Sequence, residues 1–287
     1  MIIITHPACT EYREPGHPER PERIIDSVKY LKQVGSSNLN LSWQEPGEVD
    51  ESLITRVHSY GHLARMSTGR EFDPDTPAYP DIDVHAKRAV AAAITGLGKV
   101  LDGQQVFVLM RPPGHHATAG QAMGFCYLNQ VAIATLEAQS RGVKRVAVLD
   151  FDVHHGNGTE AILRGKPDIL FVSIHQHPCY PGTGLESFDN CQNYPVAPRT
   201  PALGHMKMIQ TAINQIEEWN PDLLIVSAGF DAYQGDMIAD MLLEPEDFKQ
   251  IGQMVKSLAV PHLDVLEGGY SNQLPELIHQ YLRGVAA

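Results

Sequence analysis

The sequence predicts an α/β fold, a doubly wound and mainly parallel sheet with helices on both faces, and three observations predict it. Four apolar runs, "VFVLM", "RVAVLD", "LLIVSAG" and "HLDVLEGG", are nearly continuous rather than alternating, as strands covered on both faces are. Stretches rich in Ala, Leu, Ile, Gln and Lys lie between them, giving a β-α-β-α order. Each apolar run is followed at once by polar residues. Doubly wound sheets bind ligands beyond the carboxyl ends of their strands, so four separated clusters can converge on one pocket.

In chain order, the start "MIIIT" is short and lacks a basic flank, so it is neither a signal peptide nor a membrane span, and a cytoplasmic location is expected. Helices are expected over 81–101, 129–141, 203–219 and 246–258. The run at 106–110 leads into "RPPGHHA", that at 145–150 into "FDVHHGNGT", that at 223–229 into "FDAYQGD", and that at 262–269 into "YSNQ". No linker, repeat or charge block interrupts this order, so a single domain over 1–287 is expected. Cys9, Cys126, Cys179 and Cys191 lie far apart without a CxxC pair, which argues for free thiols over a zinc knot or disulfide framework. A net charge of −12 disfavours a nucleic-acid partner. It suits cationic substrates, and equally suits plain acidic solubility.

"DFDVHHGNGT", from Asp150 to Thr159, packs two carboxylates and two imidazoles into six residues. Aspartate favours neither strand nor helix, so propensity does not explain the cluster. With 14 histidines in 287 residues, about 0.7 adjacent pairs arise by chance, so one His-His pair means little. This chain has two, at 115–116 and 154–155, each after a strand-like run. If the strand continues, its period-2 geometry turns Asp150, Asp152 and His154 to one side. Three protein ligands and an open position make a catalytic zinc site, and with two ligands from this segment the third must come from elsewhere. Asp231 in "SAGFD" is the best candidate, against a turn or helix-capping role. Asn157 or Thr159 is expected to cap the following helix. Gly114 permits close backbone approach, and "EGGY" lets the backbone bend before Tyr270, which is either a pocket phenol or a packed rim residue.

Taken together, "RPPGHH", "DFDVHHGNGT", "SAGFDA" and "EGGY", in that order, resemble the zinc-dependent histone deacetylase family, which includes bacterial histone deacetylase-like amidohydrolases and acetylpolyamine amidohydrolases. "HPERPER", "GFCYLN" and "YPGTG" extend the likeness across most of the chain. The resemblance implies that Asp152, His154 and Asp231 are zinc ligands, His115 and His116 the acid/base histidines, and Tyr270 the catalytic phenol. It implies tunnel walls at Phe125 and Tyr180 beside Gly124, and a phenol-positioning turn at Gly268 and Gly269. It assigns Asp150 to orienting His115, and a structural potassium ion to Asp150, Asp152, His154 and Ser173. Asn157 stands where class I members have a carboxylate facing the second histidine, the class II-like choice. An amide supports an imidazolium less well, so His116 should be the less basic for it.

The expected reaction is hydrolysis of an N-acyl amide, acetyl-lysine in a peptide or protein or an acylated amine, with zinc polarising carbonyl and water. Iron(II) suits the same ligands. Acetylpolyamine amidohydrolase activity is the alternative substrate reading, and no acidic residue replaces Ile238 near the rim to favour it. An arginase-like two-manganese site would need further Asp and His ligands around "RPPGHH" that are not there. A non-hydrolytic acyl-lysine binder is the alternative of another class, though every catalytic position is filled. Oligomeric state is not legible, and no membrane partner is expected.

Overall fold

A computed structural model describes residues 1–287, the side chains of 35–38 excepted. Its strands are β1 (Ile2–Ile4), β2 (Ser42–Gln44), β3 (Val106–Val108), β4 (Val146–Asp150), β5 (Ile169–Gln176), β6 (Cys191–Val196), β7 (Leu223–Ala228) and β8 (His262–Leu266). They form one sheet in the order β2-β1-β3-β8-β7-β4-β5-β6. Every pairing between these strands is parallel. All residues of β3, β4, β5, β7 and β8 are buried, which is why their sequences show no alternation.

The helices are α1 (Glu22–Asn38), α2 (Glu51–Thr55), α3 (Tyr60–Met66), α4 (Ile82–Leu101), α5 (Gln130–Ser140), α6 (Asn157–Leu163), α7 (Ala202–Trp219), α8 (Pro245–Ser257) and α9 (Leu274–Ala286). Helices α4, α5 and α6 pack in one series, and α1, α9, α8 and α7 in another. The four expected helices are α4, α5, α7 and α8, each within one residue at both ends. Local signals explain the boundaries. Asn129 caps α5 by accepting from the Ala132 amide. A reciprocal Glu244–Asp247 box with Pro245 at the first position starts α8. In α4, Gly96 is required by packing, because a Cβ there would lie 2.7 Å from Leu263 Cδ1 on β8.

Within "MIIIT", Ile2–Ile4 form the sheet strand β1. Strand β4 continues into α6 of the first helix series, whereas its neighbour β7 continues into α8 of the second. The connections therefore diverge between β4 and β7, opening a crevice at their carboxyl ends. Both expected metal-binding segments follow these two strands.

One polar feature interrupts the core. On β8, His262 Nδ1 lies 3.0 Å from Asp264 Oδ1, both residues are buried, and Asp264 Oδ2 has no hydrogen-bond partner among the described residues. Burial alone would lower the His262 pKa, but the Asp264 carboxylate outweighs it and holds the imidazole above its ordinary range. A raised histidine pKa stabilises the fold fully below the unfolded value and ceases to do so as pH rises through the folded value. The wild-type melting temperature is therefore expected to fall above neutral pH more than that of a His262→Gln/Asp264→Asn double variant. Parallel pH dependences in thermal melts would remove the pair from the stability account.

Candidate active site

Donor atoms of Asp152, His154 and Asp231 lie within 4.8 Å of one another. His154 Nδ1 is 3.1 Å from both Asp152 Oδ1 and Asp231 Oδ2. Both carboxylates are fully buried, and among the described residues no lysine or arginine pairs with either. Two buried carboxylates need positive charge beside them, and an imidazole nitrogen with two carboxylate oxygens is a donor set that suits a divalent zinc-like ion. The residues present fit the metal.

The local backbone builds this trio differently from the extended continuation expected. Strand β4 ends at Asp150, and the chain then curls. The Asp152 amide donates to Asp150 Oδ1 at 3.1 Å and the His154 amide to Asp152 Oδ1 at 2.9 Å. These side-chain bonds bend the segment and separate the carboxylates by role: Asp150 turns to His115, while Asp152 and His154 meet Asp231. The Val153 amide holds Asp231 Oδ1 at 2.9 Å, and the Gly268 amide holds Asp152 Oδ2 at 2.7 Å. A Cβ at Gly268 would lie 2.1 Å from Asp231 Oδ2, so only glycine lets the "EGGY" turn close over the carboxylates.

The two histidines stack with ring centroids 4.0 Å apart but face different partners. His115 Nδ1 lies 3.0 Å from Asp150 Oδ2, and His116 Nδ1 lies 2.7 Å from Asn157 Oδ1. Burial would depress His115, yet the Asp152 and Asp150 carboxylates overcome it and raise its pKa to about 10. Burial, reinforced by the cationic character of His115 and His154, pushes His116 well below its ordinary value. The two adjacent imidazoles are thus shifted in opposite directions. The capping expectation is corrected here. Gly156 is the N-cap of α6, without a side-chain cap, and the Asn157 side chain serves His116. Thr159 Oγ1 instead accepts from Asn129 Nδ2 at 3.0 Å.

A pocket of about 280 Å³ opens onto this cluster, lined by His116, His154 and Tyr270, by Gly124, Phe125 and Tyr180, and by His17, Pro18, Asp75 and Ile238. Tyr180 presents its ring to His116 at 5.1 Å, and Phe125 meets Tyr270 edge-on at 5.5 Å. Gly124 has φ 56°, and a Cβ there would lie 2.5 Å from the His116 ring. Gly269, with φ 113°, supplies the bend before Tyr270. Ser173 lies opposite Asp150 in the β4–β5 register, with its Oγ 2.9 Å from His175 Nδ1.

Several supporting residues lie inside the quoted segments, but the sequence gives them no role. Glu267 accepts from the amides of Gly114 and His115 at 2.7 and 3.1 Å, fixing the histidine loop. Asp236 holds the amides of Tyr270 and Ser271 at 2.7 and 3.1 Å. Arg23 donates to the Gly269 carbonyl at 2.7 Å and lies 4.7 Å from the centre of the Tyr270 ring. His155, second of its pair, binds Thr183 Oγ1 at 2.7 Å and so anchors the loop bearing Tyr180.

Residues 17–285 match the family model described as histone deacetylase domain. An uncharacterized protein of Synechocystis is 42% identical over 298 residues, covering 96% of each chain. A histone deacetylase-like amidohydrolase of Pseudomonas aeruginosa is 37% identical over 279 residues, covering 89% of this chain and 73% of that protein. The crystal structure of an acetylpolyamine aminohydrolase from Burkholderia pseudomallei superposes with a TM-score of 0.92 at 26% identity, covering 100% of this chain and 99% of the other. Among the described residues no helix is long and apolar enough to cross a membrane.

Proposed function

The chain belongs to the histone deacetylase family, a hydrolytic enzyme of acetyl amides, and we propose that it deacylates N-acyl-lysine in peptides or proteins through the trio and histidine pair described above. The observation that carries this is the pocket. Phe125 and Tyr180 line one pocket together with His154, His116 and Tyr270, so an apolar wall stands beside the polar cluster, a combination suited to a methylene arm carrying its acyl group. Acetylpolyamines are the second reading, favoured by Asp75 on the same lining, where a carboxylate suits a second ammonium. Ile238 on that lining is apolar and adds no such partner.

Zinc held by Asp152, His154 and Asp231 would polarise the acyl carbonyl and acidify a water. Iron(II) is compatible with the same donors. His116, kept neutral and facing the pocket, takes the water's proton, while Asn157 fixes its ring. His115, its pKa held up by the Asp152 and Asp150 carboxylates, supplies positive charge and the proton for the departing amine. Tyr270 donates to the developing negative charge on the carbonyl oxygen. The Gly268–Gly269 turn, held by Arg23 and Asp236, places that phenol. We further propose a structural potassium ion at Asp150, Asp152, His154 and Ser173, supported by the all-buried oxygen donors of the first two and by the register of the last. The four free cysteines support a reducing, cytoplasmic setting.

The test compares kcat/KM for an acetyl-lysine peptide and for acetylputrescine at two ionic strengths. The peptide is expected to be the better substrate, with turnover weakening as salt rises because of the acidic surface. A large preference for acetylputrescine would transfer the assignment to polyamines. Absence of turnover by metal-loaded protein on any acyl amide would favour a binding role.

A further inference from the structure

We infer that His115, Cys126 and Glu267 form a second site for a zinc-like divalent ion, one whose occupation inhibits the enzyme; the inhibitory role rests on the deacetylase reading above. Donor atoms of these three residues lie within 4.8 Å of one another and all three side chains are buried. Nitrogen, thiolate sulfur and carboxylate oxygen are the donor types that zinc selects, and none of the three is in the first trio.

Each group has a donor left to give. His115 Nδ1 is engaged by Asp150, which leaves Nε2, 3.7 Å from Asp152 Oδ1. Glu267 Oε2 is taken by the two loop amides, whereas Oε1 has only a long 3.5 Å contact from Ser227 Oγ. Cys126 is fixed by the reciprocal backbone pair with Met123, at 3.0 Å in both directions. The three donors come from the loop after β3, the 123–126 turn and the end of β8, so the site is preformed by tertiary structure and not by a local motif.

Binding must displace two protons, the Cys126 thiol proton, which burial holds in place, and the one that His115 carries on Nε2 in the mechanism above. The second site is therefore the weaker and fills only when metal exceeds one equivalent. An imidazole bound to a metal through Nε2, with Nδ1 held by Asp150, has no proton for a departing amine. Occupation is expected to lower kcat by about 10²-fold, the lower end of what one acid/base group contributes.

The experiment titrates the purified full chain, freed of metal, with zinc and in parallel with cobalt(II). The first equivalent is expected to restore turnover without a sulfur-to-cobalt charge-transfer band, because Asp152, His154 and Asp231 carry no sulfur. The second is expected to produce that band and to suppress turnover. Cys126→Ala should bind one equivalent, show no band and resist excess zinc while keeping its basal rate, and the near-isosteric Cys126→Ser repeats the test if Ala unfolds the protein. A wild-type chain that stops at one ion with no thiolate band, or a folded Cys126 variant inhibited as strongly as wild type, would overturn the site. No turnover at the first equivalent would instead overturn the deacetylase reading and the inhibitory role with it, while a band at the second would still support the metal site.

Discussion

Asp231→Ala is expected to lose metal and turnover together. In the proposed site Asp231 is one of three donors, and Asp152 and His154 alone would leave too few for tight binding. The substitution also frees the Val153 amide, which now donates to Asp231 Oδ1, so the curled segment loses a fixed point. Losing Lewis-acid assistance worth several kcal/mol corresponds to a drop of about 10³-fold or more in rate. Metal analysis of the folded variant beside its kcat decides the matter. Full metal occupancy in Asp231→Ala would exclude this residue as a ligand, and retained turnover without metal would exclude the metal from the chemistry. Removing one of two mutually repelling buried carboxylates offers a further check: apo Asp231→Ala should melt no lower than apo wild type, because burial and the neighbouring Asp152 make that carboxylate costly when no ion is bound.

The long, continuous apolar strands and the four amphipathic or Ala-rich helices were legible because burial on both faces and helical spacing leave strong patterns. β1 and β2 were not, since three residues are too few to show a period. β5 is buried throughout, but Ser173, His175 and Gln176 interrupt its apolar run, so it lacks the continuous pattern of the others. Asp152, His154 and Asp231, which the structure brings together, stand out by residue type and position after strands, although the segment curls where an extended continuation is expected. An aspartate's own side chain captures the amide two residues on, and that local bond ends the extended strand. The supporting layer escaped because its work is done on backbone groups. Glu267 and Asp236 hold amides whose owners are remote in sequence, 153 and 34 residues away for Gly114 and Tyr270. No spacing rule encodes such contacts.

Asn157 was legible as a departure from a carboxylate, and the structure gives that departure a measurable consequence. Its Oδ1 meets His116 Nδ1 at 2.7 Å, so it fixes the ring without contributing a negative charge. Burial, with His115 and His154 beside it, holds His116 well below its ordinary pKa, and the uncharged Asn157 does too little to reverse that, so the proton-accepting form persists into mildly acidic solution. His116→Ala is expected to cost about 10²–10⁴-fold in kcat, the range for a positioned acid/base group. Asn157→Asp tests the same assignment without removing the imidazole. A carboxylate beside Nδ1 favours the charged ring, so the folded pKa of His116 rises and the neutral form is confined to higher pH. The acid limb of the kcat/KM profile should then move to higher pH, with the rate falling most at the acidic end and recovering toward wild type in alkali. An acid limb unmoved by Asn157→Asp, in a variant that retains its metal, would mean that a group other than His116 accepts the proton.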